Sequence, residues 1–153
     1  MENDIKYMKM AIEEGKKAYE AGELPVGAVL VKENKVIKGR NKKEEKQQII
    51  SHAEIEAISK ASKEENNWRL LGYTMYVSLE PCPMCASAIA QSRLERLVIA
   101  ASSNNELESK ISKELFENSK IQISKGLLKE ESEELINMFF EEKRSSNVSR
   151  ETL

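Results

Sequence analysis

The chain has 153 residues, of which 40% are hydrophobic and 33% are charged, and its formal net charge is −2. This balance excludes an intrinsically disordered chain, and no apolar run approaches the roughly 20 residues that cross a bilayer. The small net charge excludes a protein-wide basic field, so any nucleic acid must be bound at a local site. The N-terminal stretch MENDIKYMKM lacks the apolar core of a secretory signal, so we expect a cytoplasmic protein with reduced thiols.

The first part of the chain predicts a helix, a β-hairpin and a loop. Asp4 is a candidate N-cap for a helix that runs to about Ala21, and Gly22 is a typical helix stop. The segments VGAVLVK and VIKG predict two antiparallel strands joined by the turn ENK. The first strand is apolar almost throughout, which is typical of a strand buried on both faces. The polar residues 41–48 predict a loop.

The middle of the chain alternates between helix and strand patterns. Ser51 is a candidate N-cap for a second helix, SHAEIEAISKAS. The stretch YTMYVSL predicts a third strand because it is rich in aromatic and β-branched residues. The stretch CPMCASAIAQS predicts a short helix with Pro83 in its first turn, and ERLVIAA predicts a fourth strand.

The last third begins with the polar segment SSNNELESKIS, to which we assign no regular structure. A fifth strand is predicted at KIQIS and a final helix from about Lys129 to Arg144. Residues 145–153 are polar, and we expect a disordered tail there. Strands separated by helices predict an α/β fold with three α/β/α layers, a mixed five-stranded sheet and a single domain over residues 1–144.

The chain's only histidine and its only two cysteines point to a metal site. His52 precedes one predicted helix, and Cys82 and Cys85 lie at the start of another. One imidazole and two thiolates are common zinc ligands, and three protein ligands leave a fourth position for water, as in catalytic zinc sites. A helix N-terminus favours thiolate over thiol, and Glu54 stands where an unligated acid could move a proton.

Two other interpretations of the cysteine pair are open. A disulfide is disfavoured in a reducing cytoplasm. A thioredoxin-like CxxC redox pair is compatible with an α/β protein, but it gives no reason for the nearby HxE block. The combined pattern His52-x-Glu54 followed by Pro81-Cys82-x-x-Cys85 is that of zinc-dependent nucleobase deaminases.

The resemblance extends beyond this pattern. The segments GELPVGAVLV, GRN, HAEIEAI, LEPCPMCASAIAQSRLERLV and GLLKEESEELINMFFEEKR resemble those of bacterial tRNA adenosine deaminases, within the cytidine deaminase-like superfamily. The resemblance implies a cytidine deaminase-like fold and a homodimer with one zinc ion per subunit. It also implies hydrolytic deamination of adenosine to inosine at the wobble position of the tRNA anticodon loop.

The resemblance also assigns roles to individual residues. It implies zinc ligation by His52, Cys82 and Cys85 and proton transfer by Glu54. Substrate contacts are implied for a set of loop, strand and helix-start residues: Pro25, Val26, Gly27, Ala28, Asn41 and Ala53.

One segment departs from the family pattern. Where the family usually carries a Gly-rich stretch with an acidic residue and a lysine, this chain has SSNNELESKIS, from Ser102 to Ser112. An alternative function is therefore deamination of a free base or nucleoside (guanine, cytosine or adenosine) or of another nucleic-acid context. A third hypothesis is a non-catalytic zinc protein with a role in assembly, against which the presence of Glu54 argues.

Overall fold

Five strands form one sheet in the computed structural model, which describes residues 2–151. The strands are β1 (Gly27–Lys32), β2 (Lys35–Arg40), β3 (Thr74–Leu79), β4 (Arg96–Ala101) and β5 (Gln122–Lys125), in the order β2-β1-β3-β4-β5. β1 pairs antiparallel with both β2 and β3, whereas β3, β4 and β5 run parallel. The prediction of a mixed five-stranded sheet is confirmed.

Within residues 2–151, six helices lie before, between and after the strands. They are α1 (Glu2–Glu20), α2 (Lys43–Lys46), α3 (Ala53–Glu65), α4 (Pro83–Gln91), α5 (Glu106–Glu117) and α6 (Lys129–Glu151). Within the described part of the chain, no helix is long and apolar enough to cross a membrane.

The sheet separates two apolar clusters, which confirms the three-layer architecture. Ala28 and Leu30 of β1 belong to the cluster that contains residues of α3, α4 and α5. Val29 and Val31 belong to the other cluster, with residues of α1 and, at its edge, α6. Successive side chains of a strand point to opposite faces, so β1 must be apolar at every position to fill both clusters.

The first helix differs from its prediction at the N-terminus. It begins at Glu2, so Asp4 lies within the helix and is not its N-cap. The Asp4 carboxylate instead accepts two hydrogen bonds of 2.9 Å from the Arg96 guanidinium and one of 2.6 Å from the Tyr76 hydroxyl. The Arg96 hydrogen bonds lower the pKa of Asp4 to about 2. Asp4 therefore ties α1 to β3 and β4.

The second predicted helix starts one residue later than expected. Its first helical residue is Ala53 and its N-cap is His52, not Ser51. The Ser51 hydroxyl donates to the Gln48 side chain at 3.1 Å. Ser51 therefore bonds within the loop 48–51 and does not cap α3, so His52 occupies the N-cap position.

A short helix, α2, replaces part of the loop predicted for residues 41–48. Its exposed backbone N–H groups at Glu44 and Glu45 donate to the buried carboxylate of Glu23 at 3.0 and 2.8 Å. Four-residue helices depend on such a tertiary partner, because a single turn is too short to be stable alone.

The polar segment after β4 contains a helix that the sequence analysis missed. α5 begins at Glu106, and the Asn105 side chain caps it by accepting from the Glu108 N–H at 3.1 Å. Only Ser112 and Phe116 of α5 are buried, so its apolar face is too narrow to stand out in the sequence.

The final helix is longer than predicted. α6 continues past Arg144 to Glu151, so residues 145–151 are helical where we expected a disordered tail. Extending an existing helix costs little, even with polar residues, because nucleation has already occurred. The rest of the predicted tail, residues 152–153, lies outside the described residues.

Two glycines bring helices into close contact with the sheet. A Cβ atom added at Gly27 would lie 1.9 Å from the Ala11 carbonyl oxygen of α1. A Cβ atom added at Gly39 would lie 2.4 Å from the Ala53 carbonyl oxygen, in the first turn of α3. The position of α3 therefore depends on the missing side chain at Gly39.

Candidate zinc and active site

Three donor atoms meet where α3 and α4 begin. His52 is the N-cap of α3 and Cys82 is the N-cap of α4, while Cys85 lies in the first turn of α4. The His52 Nδ1 atom lies 3.6 Å from the Cys82 sulfur and 3.4 Å from the Cys85 sulfur. All three donor atoms lie within 4.8 Å of one another.

This geometry fits a tetrahedral zinc ion. With Zn–S distances of about 2.3 Å and Zn–N distances of about 2.0 Å, tetrahedral angles place the nitrogen about 3.5 Å from each sulfur. The distances from Nδ1 to the two sulfurs, 3.6 and 3.4 Å, bracket that value. Two soft thiolates and an imidazole are ligands that zinc prefers, and a fourth position stays open for water.

The pKa values of the two thiols are shifted in opposite directions. Hydrogen bonds with Cys85 and, to a smaller extent, His52 lower the pKa of Cys82 to about 4 against the opposing effect of burial. The hydrogen bond with Cys82 raises the pKa of the Cys85 thiol, and burial adds to this effect. The pair therefore carries one thiolate before metal binding, and a bound cation would displace the remaining proton.

Glu54 lies beside the donor atoms but is not one of them. It stands in the first turn of α3, and only 3% of the residue is exposed. Burial raises the pKa of Glu54 to about 7, although the nearby His52 opposes the shift. A carboxyl group with a pKa near 7 can both accept and donate a proton near neutral pH.

His52, Cys82 and Glu54 line a cavity of about 250 Å³, and Cys85 lies buried behind them. Its walls are formed by Leu24, Val26, Asn41, His52, Ala53, Glu54, Leu79, Glu80, Cys82, Ser103 and Glu108. Small-molecule sites typically begin near 300 Å³, so the cavity suits a single heterocyclic base.

The structure places half of the predicted substrate residues on this cavity. Val26, Asn41 and Ala53 line it. The Asn41 side chain is held by its own bonds, since its amide donates to the Leu24 carbonyl at 3.4 Å and its oxygen accepts from the Lys43 N–H at 3.3 Å.

The other three predicted substrate residues do not line the cavity. Pro25 and Ala28 are fully buried, and Gly27 packs against α1. The Gly27 N–H donates to the Ser78 hydroxyl at 3.0 Å. Pro25 precedes Val26, and Gly27 and Ala28 begin β1 directly after it, so the packing of these residues positions Val26 at the cavity.

Five cavity residues escaped the sequence analysis. They are Leu24, Leu79, Glu80, Ser103 and Glu108. Glu80 adjoins the cysteine motif, which was a usable signal. Ser103 and Glu108 lie in the departing segment 102–112, where the sequence offers no signal for which side chains face the cavity.

Glu80 is a second buried acid at this site. Burial raises its pKa, but hydrogen bonds from Ser109 and Lys125 outweigh that effect, so its pKa lies below the usual value. The two buried acids of the site are thus shifted in opposite directions: the pKa of Glu80 is lowered and that of Glu54 is raised.

A family model and individual relatives both match most of the chain. Residues 1–101 match the model of the cytidine and deoxycytidylate deaminase zinc-binding region. The chain is 43% identical to the tRNA-specific adenosine deaminase of Bacillus subtilis over 150 residues, which cover 94% of this chain and 92% of the relative.

Solved structures agree with this result. A structure from studies of A-to-I editing by tRNA:A34 deaminases at the wobble position matches with a TM-score of 0.79 and 34% identity, covering 85% of this chain and 98% of that chain. The guanine deaminase from Bacillus subtilis matches with a TM-score of 0.62 and 30% identity, covering 73% of each chain.

Proposed function

Because the chain belongs to the cytidine and deoxycytidylate deaminase zinc-binding family, we propose that it converts adenosine to inosine at the wobble position of tRNA by zinc-dependent hydrolysis. The observation that carries the proposal is the buried Glu54 beside three zinc-type donor atoms in a cavity the size of one base. The relatives named for tRNA adenosine support the choice of substrate.

His52, Cys82 and Cys85 would hold one zinc ion per subunit. Zinc bound there would act as a Lewis acid and make water a nucleophile near neutral pH. Glu54 would accept a proton from the attacking water and deliver it to ring N1 of adenine as the C6–O bond forms. It would then accept the proton of the new C6 hydroxyl and pass it to the departing amine, so that the C6–N bond breaks as the C6=O bond forms. Water is consumed and ammonia is released.

The cavity residues would orient the base. Asn41 offers polar atoms at the cavity wall, while Val26 and Ala53 supply apolar contacts. A cavity for one base requires the target nucleotide to be unstacked. Unstacking is cheap in a single-stranded anticodon loop and costly in a duplex, which favours a loop substrate.

Three further properties belong to the proposal. Residues 1–144 would act as a single deaminase domain. The chain would form a homodimer, for which exposed Met138 and Phe140 on α6 are candidate contacts, since they are 45% and 43% exposed. The protein would act in the cytoplasm, where its tRNA substrate occurs and where two unpaired cysteines remain reduced.

A second candidate is deamination of a free base or nucleoside. The departing segment supplies Ser103 and Glu108 to the cavity, and Glu108 adds a carboxylate that could accept hydrogen bonds from a purine amino or ring N–H group. The structural similarity to a guanine deaminase supports this candidate.

One experiment separates the candidates. Zinc-loaded protein is incubated with an unmodified tRNA-Arg transcript that has the anticodon ACG, and inosine at the wobble position is read by sequencing. Guanine, cytosine and adenosine are tested in parallel by ammonia release, with Glu54→Gln protein as the control. Inosine in tRNA supports the first candidate, and ammonia from a free base without inosine in tRNA would reject it in favour of the second.

A further inference from the structure

The buried carboxylate of Glu80 lies between two cavities. Glu80 directly follows β3 and precedes Cys82 by two residues, and only 4% of its side chain is exposed. It lines the base-sized cavity and also a neighbouring cavity of about 380 Å³ between α5 and the β4–β5 edge of the sheet. A carboxylate this buried has lost most of its hydration, so its partners must compensate for that loss.

The Glu80 carboxylate has three partners: Lys125 on β5, Ser103 in the loop after β4, and the Ser109 side chain on α5. Its Oε1 atom accepts a hydrogen bond of 2.9 Å from the Lys125 ammonium group on β5. Its Oε2 atom accepts from the backbone N–H of Ser103 at 3.4 Å, in the loop after β4. The carboxylate therefore connects β5 to the loop that leads into α5.

That loop forms one wall of the base-sized cavity. Ser103 in the loop and Glu108 in the first turn of α5 both contribute to the cavity. The middle of α5 is also bonded to the segment before Cys82, because the buried Ser112 hydroxyl donates to the Pro81 carbonyl at 2.9 Å. This bond does not involve the Glu80 side chain, so it remains when that side chain is changed and supports the backbone beside Cys82.

We infer that Glu80 is a positioning residue: its carboxylate, paired with Lys125, holds Ser103 and Glu108 in place as the substrate-binding wall. Glu80 acts through the Ser103 N–H and the Ser109 side chain, and not on the reacting atoms. The inference deepens the proposed deaminase function, on which its kinetic consequence rests.

Two variants and one matched control test this role. Glu80→Gln removes the charge, and Lys125→Met removes its partner at a half-exposed position that tolerates an unbranched apolar side chain. Lys113→Met is the matched control. Lys113 is exposed and lines the same neighbouring cavity as Lys125, but the lysine that pairs with the Glu80 carboxylate is Lys125.

Three measurements are compared among the four proteins. Hydrogen exchange is followed in peptides that cover residues 102–112 and 83–91. The visible spectrum of the cobalt-substituted protein reports the ligand geometry at Cys82. Steady-state kinetics on an anticodon stem–loop RNA separate KM from kcat.

We expect faster hydrogen exchange in residues 102–112 of Glu80→Gln and Lys125→Met. Hydrogen exchange in residues 83–91 and the cobalt spectrum should be unchanged. KM should rise about tenfold, as expected for a lost hydrogen bond to a charged group, while kcat stays within about twofold. Lys113→Met should behave like the parent protein in all three measurements.

Two results would overturn the inference. If the variants differ from the parent protein only in a lower melting temperature, and hydrogen exchange in residues 102–112 is unchanged, Glu80 has a purely structural role. An altered cobalt spectrum with a fall in kcat would mean that Glu80 acts through Cys82. If the parent protein makes no inosine, the proposed function fails, and the exchange and cobalt measurements still decide the role of Glu80. If Glu80→Gln does not fold, Lys125→Met decides it by the same criteria.

Discussion

The substitution Gly39→Ala should damage catalysis through the position of a helix. Gly39 lies on β2, beneath the first turn of α3. An added Cβ atom would lie 2.4 Å from the Ala53 carbonyl oxygen and 2.7 Å from the Ala57 backbone nitrogen. Both neighbours are backbone atoms, so no side-chain rotation relieves the overlap.

The size of the effect follows from these distances. The helix must move by about 1 Å for the 2.4 Å contact to reach the 3.4 Å of an ordinary contact. Overpacking of this kind lowers the free energy of unfolding by about 1–3 kcal/mol. The first turn of α3 carries both His52 and Glu54, and a misplacement of about 1 Å can lower a rate by about 100-fold.

The assay compares Gly39→Ala with a control of similar stability. Gly72 precedes β3 at the end of the sheet far from the site and has a φ of +82°. Gly72→Ala is strained by its backbone and meets only the flexible Lys32 side chain, at 3.4 Å. We expect both variants to have lower melting temperatures, but only Gly39→Ala to lose kcat and zinc affinity when measured well below those temperatures.

The reasoning would be refuted by a Gly39→Ala protein that is destabilised like Gly72→Ala yet keeps the parent kcat and one zinc per chain. That result would mean that α3 absorbs the added methyl group without moving His52 or Glu54.

Three further outcomes are expected. Glu54→Gln protein should still bind zinc, as measured by metal analysis. Its kcat should fall about 10³-fold, because a general acid–base group contributes about 10²–10⁴-fold to a rate. A loss of less than tenfold would contradict the role of Glu54. A zinc chelator should abolish activity and added Zn²⁺ should restore it, whereas Cys82→Ala protein should not recover; recovery would argue against Cys82 as a ligand. Asp4→Asn should lower the free energy of unfolding in urea by about 2 kcal/mol at pH 7, because hydrogen bonds from charged Arg96 are lost. The folded-state pKa of Asp4 is lowered from 3.8 to about 2, so this difference should persist above pH 4 and disappear as the pH falls toward 2; a constant difference down to pH 2 would contradict it.

Regular apolar patterns predicted most of the fold. β1 is apolar at successive positions because it fills clusters on both faces of the sheet, and this continuous apolar run is visible in the sequence. Helices with few buried positions were harder to find. α5 buries Ser112 and Phe116 alone, and α2 depends on the distant carboxylate of Glu23.

Helix caps were predicted less well than helices. Asp4 and Ser51 both have side chains suited to capping, yet each bonds elsewhere, to Arg96 and to Gln48. Asp4 bonds to a residue of a distant strand, which no local pattern reveals. Ser51 bonds to a side chain three residues away, and this local bond competes with capping of the helix.

The sequence by itself determined the chemistry of the site, because ligand type is a property of side chains: one imidazole, two thiols and an unligated acid at fixed spacings. Only the tertiary structure decided the shape of the cavity around them. Leu24, Glu80 and Ser103 are far apart in the chain and share a wall because the ends of β3 and β4 meet the loops before β1 and after β4. Which base enters depends on that wall, and contacts between distant segments follow from sheet order and helix packing, not from local pattern.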